Sequence, residues 1–336
     1  MKHTLFRESS MTEGPVLQGM LAFFLPIMLG TLLQQLYSAV DAVVLGQFVG
    51  KTALAAVGGS DIVLINLIVN FFVGLSSGAS VVISQHAGAQ EHVQVSRAVH
   101  TAVFLAIIVG ALTMLLGTFG APLLLPALST PEDTLQYSKD YLVWYFAGMI
   151  PSMIYNMGSG ILRALGDSRA TLYFLLVSSV LNVVLDLVFV AGLGMGVAGA
   201  AIATVLSQIA SCVIGFAYMH RRYALLRFSL RELRMDLKTA GRILQVGAPM
   251  AIQQSIVSCG FLFLQRLVNY YGESMIASYT VASRMENILM IPIIGIQNTM
   301  ATFAGQNMGA QRPDRVSKGL GQGVLVSLGM TLILCL

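Results

Sequence analysis

A helix needs about 20 consecutive, mostly apolar residues to cross the roughly 30 Å hydrocarbon core of a bilayer. This chain of 336 residues supplies nine such runs. They are Val16–Phe48, Ala53–Ser84, Ala98–Leu125, Leu135–Ser159, Ala170–Leu193, Val197–Met219, Gly241–Val268, Ile276–Ala304 and Val316–Leu336. Lipid offers no hydrogen bonds, so a spanning segment is either a helix or part of a closed barrel. The alternating ten-residue strands of a barrel are absent. The expected fold class is therefore an all-α integral membrane protein. The first run is too long for a secretory leader and is not followed by a small-residue cleavage site. Only 10% of residues are charged, against about 25% in a soluble domain. That is too few to cover a water-facing surface and excludes a soluble enzyme, while the 56% hydrophobic content excludes disorder.

The basic residues set an orientation. With the N-terminus placed inside, fifteen of the 19 Lys and Arg residues fall on inner segments. Among them are Arg97, Arg163, Arg169, the run between Arg221 and Arg242, and Arg312, Arg315 and Lys318. Only Lys51 and Lys139 fall outside, and Arg266 and Arg284 lie within apolar runs. Such a bias marks the cytoplasmic side, so a multi-pass protein with a cytoplasmic N-terminus is expected. The net charge of +4 is too small to suggest nucleic acid as a partner. The basic run of residues 221–240 reads as a linker lying on anionic lipid.

The chain also repeats itself. Gln85–Gln90 reads QHAGAQ and Gln306–Gln311 reads QNMGAQ, an offset of 221 residues. Val95-Ser96 recurs as Val316-Ser317, the Gly50–Ala55 block pairs with Gly272–Ala277, and Pro26 pairs with Pro249. Six spans separate equivalent points, so the copies share an orientation, as in transporters built from parallel repeats. The expected units are residues 1–220 with helices one to six, the 221–240 linker, and residues 241–336 with helices seven to nine. A second copy as long as the first would run about 108 residues past Leu336, so the sequence reads as one lobe and half of another, C-terminally truncated.

Carboxylates at membrane depth are costly, about 2.5–3.5 kcal/mol even on insertion scales, and mark function by default. Four lie in apolar runs: Asp41, Asp61, Asp186 and Glu286. Asp41 shares one helix face with Gln34 and Tyr37, and Pro26 on the same helix removes a backbone donor and should bend it. Asn182 and Asp186, four apart, form a second polar face, which Thr204 and Tyr141 could complete. Asn156 is expected on the same cavity. Asp61 sits near the expected outer interface, and Glu286 reads as a partner of nearby Arg284. Helix seven offers the amides Gln253, Gln254 and Gln265 but no carboxylate. Protonation of Asp41 is expected to rearrange the first helix and expel substrate, whereas deprotonated Asp41 would favour a cationic substrate or sodium.

These stretches resemble the multidrug and toxic compound extrusion (MATE) family. The resemblance rests on Leu25-Pro26, Leu36–Asp41, Gly50–Gly58, Gly160–Asp167, Leu181–Asp186 and Gly196–Thr204, in family order. It implies twelve helices in two six-helix lobes that alternate between outward-open and inward-open forms. It also implies export of lipophilic, often cationic drugs in exchange for H+ or Na+, with no cofactor. In proton-coupled members an aspartate on helix one, an Asn-x-x-x-Asp pair on helix five, a tyrosine and a threonine form the ion-coupling network. The matching positions here are Asp41, Asn182, Asp186, Tyr141 and Thr204, with Gln34, Tyr37 and Asn156 on the substrate cavity. The expected setting is the inner membrane of a bacterium, as a monomer when full length. The alternatives are a lipid-linked sugar flippase of the same superfamily, which should line its cavity with cations, and a non-transporting truncated product.

Other motif matches carry no chemistry. Gly194–Gly199 fits GxGxxG and Gly74–Gly78 fits GxSxG, but neither has the strand those motifs require. The histidines and the scattered Cys212, Cys259 and Cys335 show no metal-ligand spacing and no disulfide framework.

Overall fold

The structure, a computed structural model, describes residues 11–50, 52–53, 57, 60–125, 132–223, 235–271 and 273–335. Ten α-helices carry these residues: α1 Val16–Phe48, α2 Ser60–Gly88, α3 His92–Leu124, α4 Glu132–Ala147, α5 Met149–Ala164, α6 Ser168–Asp186, α7 Gly196–Arg222, α8 Leu237–Tyr270, α9 Glu273–Gly309 and α10 Pro313–Cys335. A π-helical turn, Leu187–Gly192, continues α6. Lys51 and the middle of the basic linker, 224–234, lie outside the described residues, as do the side chains of Asp61, Gln265 and Arg284.

Eight of the helices, α1–α3 and α6–α10, are long and apolar enough to cross a membrane. The ninth expected span, Leu135–Ser159, is divided between α4 and α5, each of 16 residues. The break falls at Gly148 (φ −85°, ψ 8°). Pro151, which has no N–H to give to the Ala147 carbonyl, lies in the first turn of the new helix, where its missing donor costs least. On α3, Leu112, Leu115, Leu116, Phe119 and Leu123 form an exposed apolar stripe, as a lipid-facing helix requires.

The helix ends sort onto two faces. One carries residues 11–15, 89–91, 165–167, 223, 235–236 and 310–312, with Arg221, Arg222, Arg312 and Arg315 beside them; we call it the basic face. The opposite face carries residues 49–50, 52–53, 125, 193–195 and 271. Between α7 and α8 the chain re-enters at Asp236, whose carboxylate accepts from Lys238 N at 2.9 Å and Thr239 N at 3.3 Å. The backbone N–H groups of Thr239 and Lys238 hold that carboxyl below the usual range.

The main core is built from α2 to α7 with the start of α8. It includes Val82, Ile83, Val99, Val103, Phe146, Met153 and Ile161, joined by Ala240 and Ile243. The first helix of each repeat crosses to the other repeat. The early turns of α1 pack against α9, through Met20 and Phe23 on Phe303 and Phe24 on Gly295. Its later turns pack against α6 and α7, through Gly30 on Leu175 and Val44 and Leu45 on Val190, Val197 and Ala200. In the same way α8 lies along α2, where Gly78 meets Gly247 and Gly74 meets Ala251 so closely that a Cβ at either residue of α2 would meet backbone atoms. Pro26 lies inside α1, where that helix passes from one repeat to the other.

Candidate functional site

Asp186 is the last residue of α6, where the helix widens into the π-helical turn Leu187–Gly192. Such turns interrupt the regular ladder and are frequent at functional sites. The Asp186 side chain is fully buried and Asn182, one turn earlier, is 2% exposed. Asn182 Nδ2 donates to Thr204 Oγ1 of α7 at 3.3 Å. The threonine hydroxyl in turn donates to Ala200 O at 3.1 Å, which fixes its orientation. A π-turn in α6 and a back-bonded threonine in α7 thus place an amide and a carboxyl side by side.

The later half of α1 brings Asp41 to the same place. The Asp41 and Asp186 side chains lie within hydrogen-bonding reach of each other. Asp41 Oδ1, both carboxyl oxygens of Asp186 and Asn182 Oδ1 are buried without a protein donor. Buried polar atoms are normally satisfied, and carboxylates only accept. Two ionised carboxylates cannot bond to each other; a shared proton, a cation or a water molecule would each satisfy these oxygens.

Aromatic residues wall the site. Tyr141 is half-buried and packs on the cluster of Val44, Leu45, Val190 and Val197. Its ring stacks on Tyr145 with centroids 5.9 Å apart. Tyr37, one turn before Asp41, is within electrostatic range of Tyr145, Asp41 and Tyr155. Five of the expected residues therefore gather: Asp41, Asn182, Asp186, Thr204 and Tyr141, with Tyr37 at the edge. Gln34 lies exposed on α1. The Asn156 amide is directed at its own helix, donating to Ser152 O at 2.9 Å. Glu286 is exposed on α9. Sequence reading missed Tyr145 and Tyr155; the tyrosine spacing along 137–155 was the available signal, but nothing in it says that they come within electrostatic range of Tyr37 on α1.

Among the described residues no group of three or more His, Cys, Asp or Glu could hold a metal ion. The MatE family profile matches residues 26–188 and 249–336, which takes in both repeats and every residue of the cluster except Thr204. The chain belongs to the MatE family. Its members are membrane transporters, not enzymes. The chain is 31% identical over 305 residues to the probable multidrug resistance protein YpnP of Bacillus subtilis, covering 91% of this chain and 68% of that one. It is 25% identical over 328 residues to a FAD transporter of Shewanella oneidensis, covering 96% of this chain and 71% of that protein. A solved structure described as the outward-facing conformation of a multidrug resistance MATE family transporter superposes with a TM-score of 0.87. That match has 24% identity and spans 98% of this chain and 72% of the other.

Proposed function

We propose that this MatE protein is a secondary antiporter that exports lipophilic cations in exchange for H+ or Na+. Two lobes, residues 1–220 and 241–336, joined by the 221–240 linker, would alternate access across a bacterial inner membrane, with the basic face cytoplasmic. The observation that carries the reading is the pair of carboxyls from α1 and α6, buried together with oxygens that no protein group satisfies. A proton or a sodium ion entering this pair completes its bonding; its departure leaves negative charge that a cationic substrate can answer. Because Asp41 and Pro26 share one helix, occupancy of the pair bears directly on α1. At Pro26 the Ala22 carbonyl has no helical donor, so α1 has a weak point between the turns that hold α9 and those that hold α6. Tyr37, Tyr141, Tyr145 and Tyr155 offer faces suited to flat apolar cations. The carboxyls and amides gathered around Asp41 and Asp186 favour cationic cargo over phosphate-bearing lipids.

The test is ethidium efflux from proteoliposomes under imposed proton or sodium gradients. Asp41→Asn and Asp186→Asn should each lower gradient-driven efflux by about tenfold or more, equivalent to at least 1.4 kcal/mol. Efflux at the unsubstituted rate in Asp41→Asn would sink the coupling role. Competition by FAD, the cargo named for one relative, with no competition by ethidium would overturn the cationic specificity.

A further inference from the structure

The two copies of the repeat at the ends of α2 and α9 are alike in backbone and different in chemistry. Each ends in the same cap: Gln90 (φ 58°) and Gln311 (φ 57°) occupy the left-handed position, with Glu91 N on His86 O and Arg312 N on Asn307 O. In the first copy the side chains close on one another, His86 pairing with Glu91 at 2.6 Å. In the second copy Asn307 and Arg312 stand at those positions and Arg315 replaces Gln94, and all three reach for a different segment.

That segment is residues 11–14, which enter α1 through Pro15. Every carbonyl in it is held: Met11 O by Asn307 Nδ2 and Arg315 Nη2, both at 3.2 Å, Thr12 O by Arg312 Nη1 at 2.6 Å, Glu13 O by Arg315 Nη2 at 3.3 Å, and Gly14 O by Arg315 Nη1 at 3.0 Å. Met11 N donates to Gln306 Oε1 at 3.2 Å, while Gln306 Nε2 reaches Ala164 O of α5 at 2.9 Å. The Met11 side chain is buried with Met20, Phe23 and Phe303. Gln306 thus joins the strap, the end of α5 and α9 at one point, where the two repeats meet on the basic face.

We propose that residues 11–14, held by Gln306, Asn307, Arg312 and Arg315, are a latch that keeps the basic-face ends of the two repeats together and releases when that face opens. This rests on the alternating-access reading above. The hold is polar and directed at backbone carbonyls, so it breaks one hydrogen bond at a time and water can take the vacated partners. The strap runs directly into α1, the helix that carries Pro26 and Asp41, so tilting the early turns of α1 against α9 shears the clamp.

The experiment measures spin-label distances on the full chain in nanodiscs without substrate, with the three native cysteines replaced by serine. One label pair at Val93 and Lys318 reports the basic face, and a second at Leu193 and Tyr271 reports the opposite face. In Arg312→Ala/Arg315→Ala the long-distance population of the first pair should rise by about tenfold, and the second pair should gain a shorter distance. No change in either pair, or broadening of both without opposite shifts, overturns the latch. If the double variant does not fold, Arg315→Lys keeps the charge but loses the planar fork and should give the same opposite shifts to a smaller extent. The distances do not depend on coupling. Unshifted distances in a protein that Asp41→Asn inactivates would remove the latch alone, and shifted distances in a protein that moves no drug would remove the antiport reading alone.

Discussion

Asp167 shows how much one buried carboxylate organises. Gly166, at φ 94°, ends α5 with Asp167 N on Leu162 O and its own N–H on Arg163 O, each at 2.9 Å. Asp167 then caps α6 by accepting from Ala170 N at 3.0 Å and receives the hydroxyls of Tyr218 at 2.7 Å and Tyr223 at 3.2 Å. The carboxylate is 3% exposed, so a lost donor is not replaced by water. Tyr218→Phe should cost about 1.5–3 kcal/mol, the range for a bond to a charged group. It would be read as a lower unfolding midpoint in detergent, with Tyr173→Phe, on an exposed residue, unchanged as the control. The stop and cap are encoded locally in Gly166-Asp167, as helix termini generally are. The two tyrosines are not, because 51 and 56 residues separate them from Asp167.

At the scale of elements, the junction of the two repeats on the basic face is a crossing of two small-residue motifs, Ser84-x-x-x-Gly88 on α2 and Gly305-x-x-x-Gly309 on α9. Ser84 meets Gly305, and a Cβ on Gly88 or Gly309 would run into the carbonyl of Gln306 or Gln85, respectively. Under the 221-residue offset Ser84 faces its own counterpart, Gly305, and the contact of Gly88 with Gln306 is mirrored by that of Gly309 with Gln85, so the two copies meet about a local pseudo-two-fold axis. Close backbone approach of this kind is what small residues allow in membrane helices. Gly309→Ala should force α2 and α9 apart at a cost of about 1–3 kcal/mol. The expected readout is faster modification of Ser84→Cys by an impermeant maleimide applied to the basic face; an unchanged rate would show that the crossing absorbs the methyl. The repeat was plain in the sequence, but the contact between its copies was not. The division of the fourth span at Gly148 was also missed, since a hydropathy window sums over Pro151 without weighing its missing donor.

For the molecule as a whole, the faces can be assigned by labelling. Val93→Cys should react with an impermeant maleimide added to inverted vesicles and Leu193→Cys with the same reagent added to intact cells; the opposite pattern would invert the proposed orientation. The class of the protein, eight of its nine expected spans, the bias of its basic residues and its internal repeat follow from the sequence alone. Each depends on transfer free energy or hydrogen bonding summed along a short stretch of chain, which no distant residue alters. The sequence also named Asp41 and Asp186 as costly to bury. Only the tertiary structure decided that these two meet, although 145 positions separate them, that Asn156 turns to its own helix, and that Arg312 and Arg315 hold residues 11–14. Those outcomes depend on how each helix is rotated and where it crosses its neighbours. That geometry is set by many small contacts shared among α1, α6, α7 and α9, and no single segment encodes it.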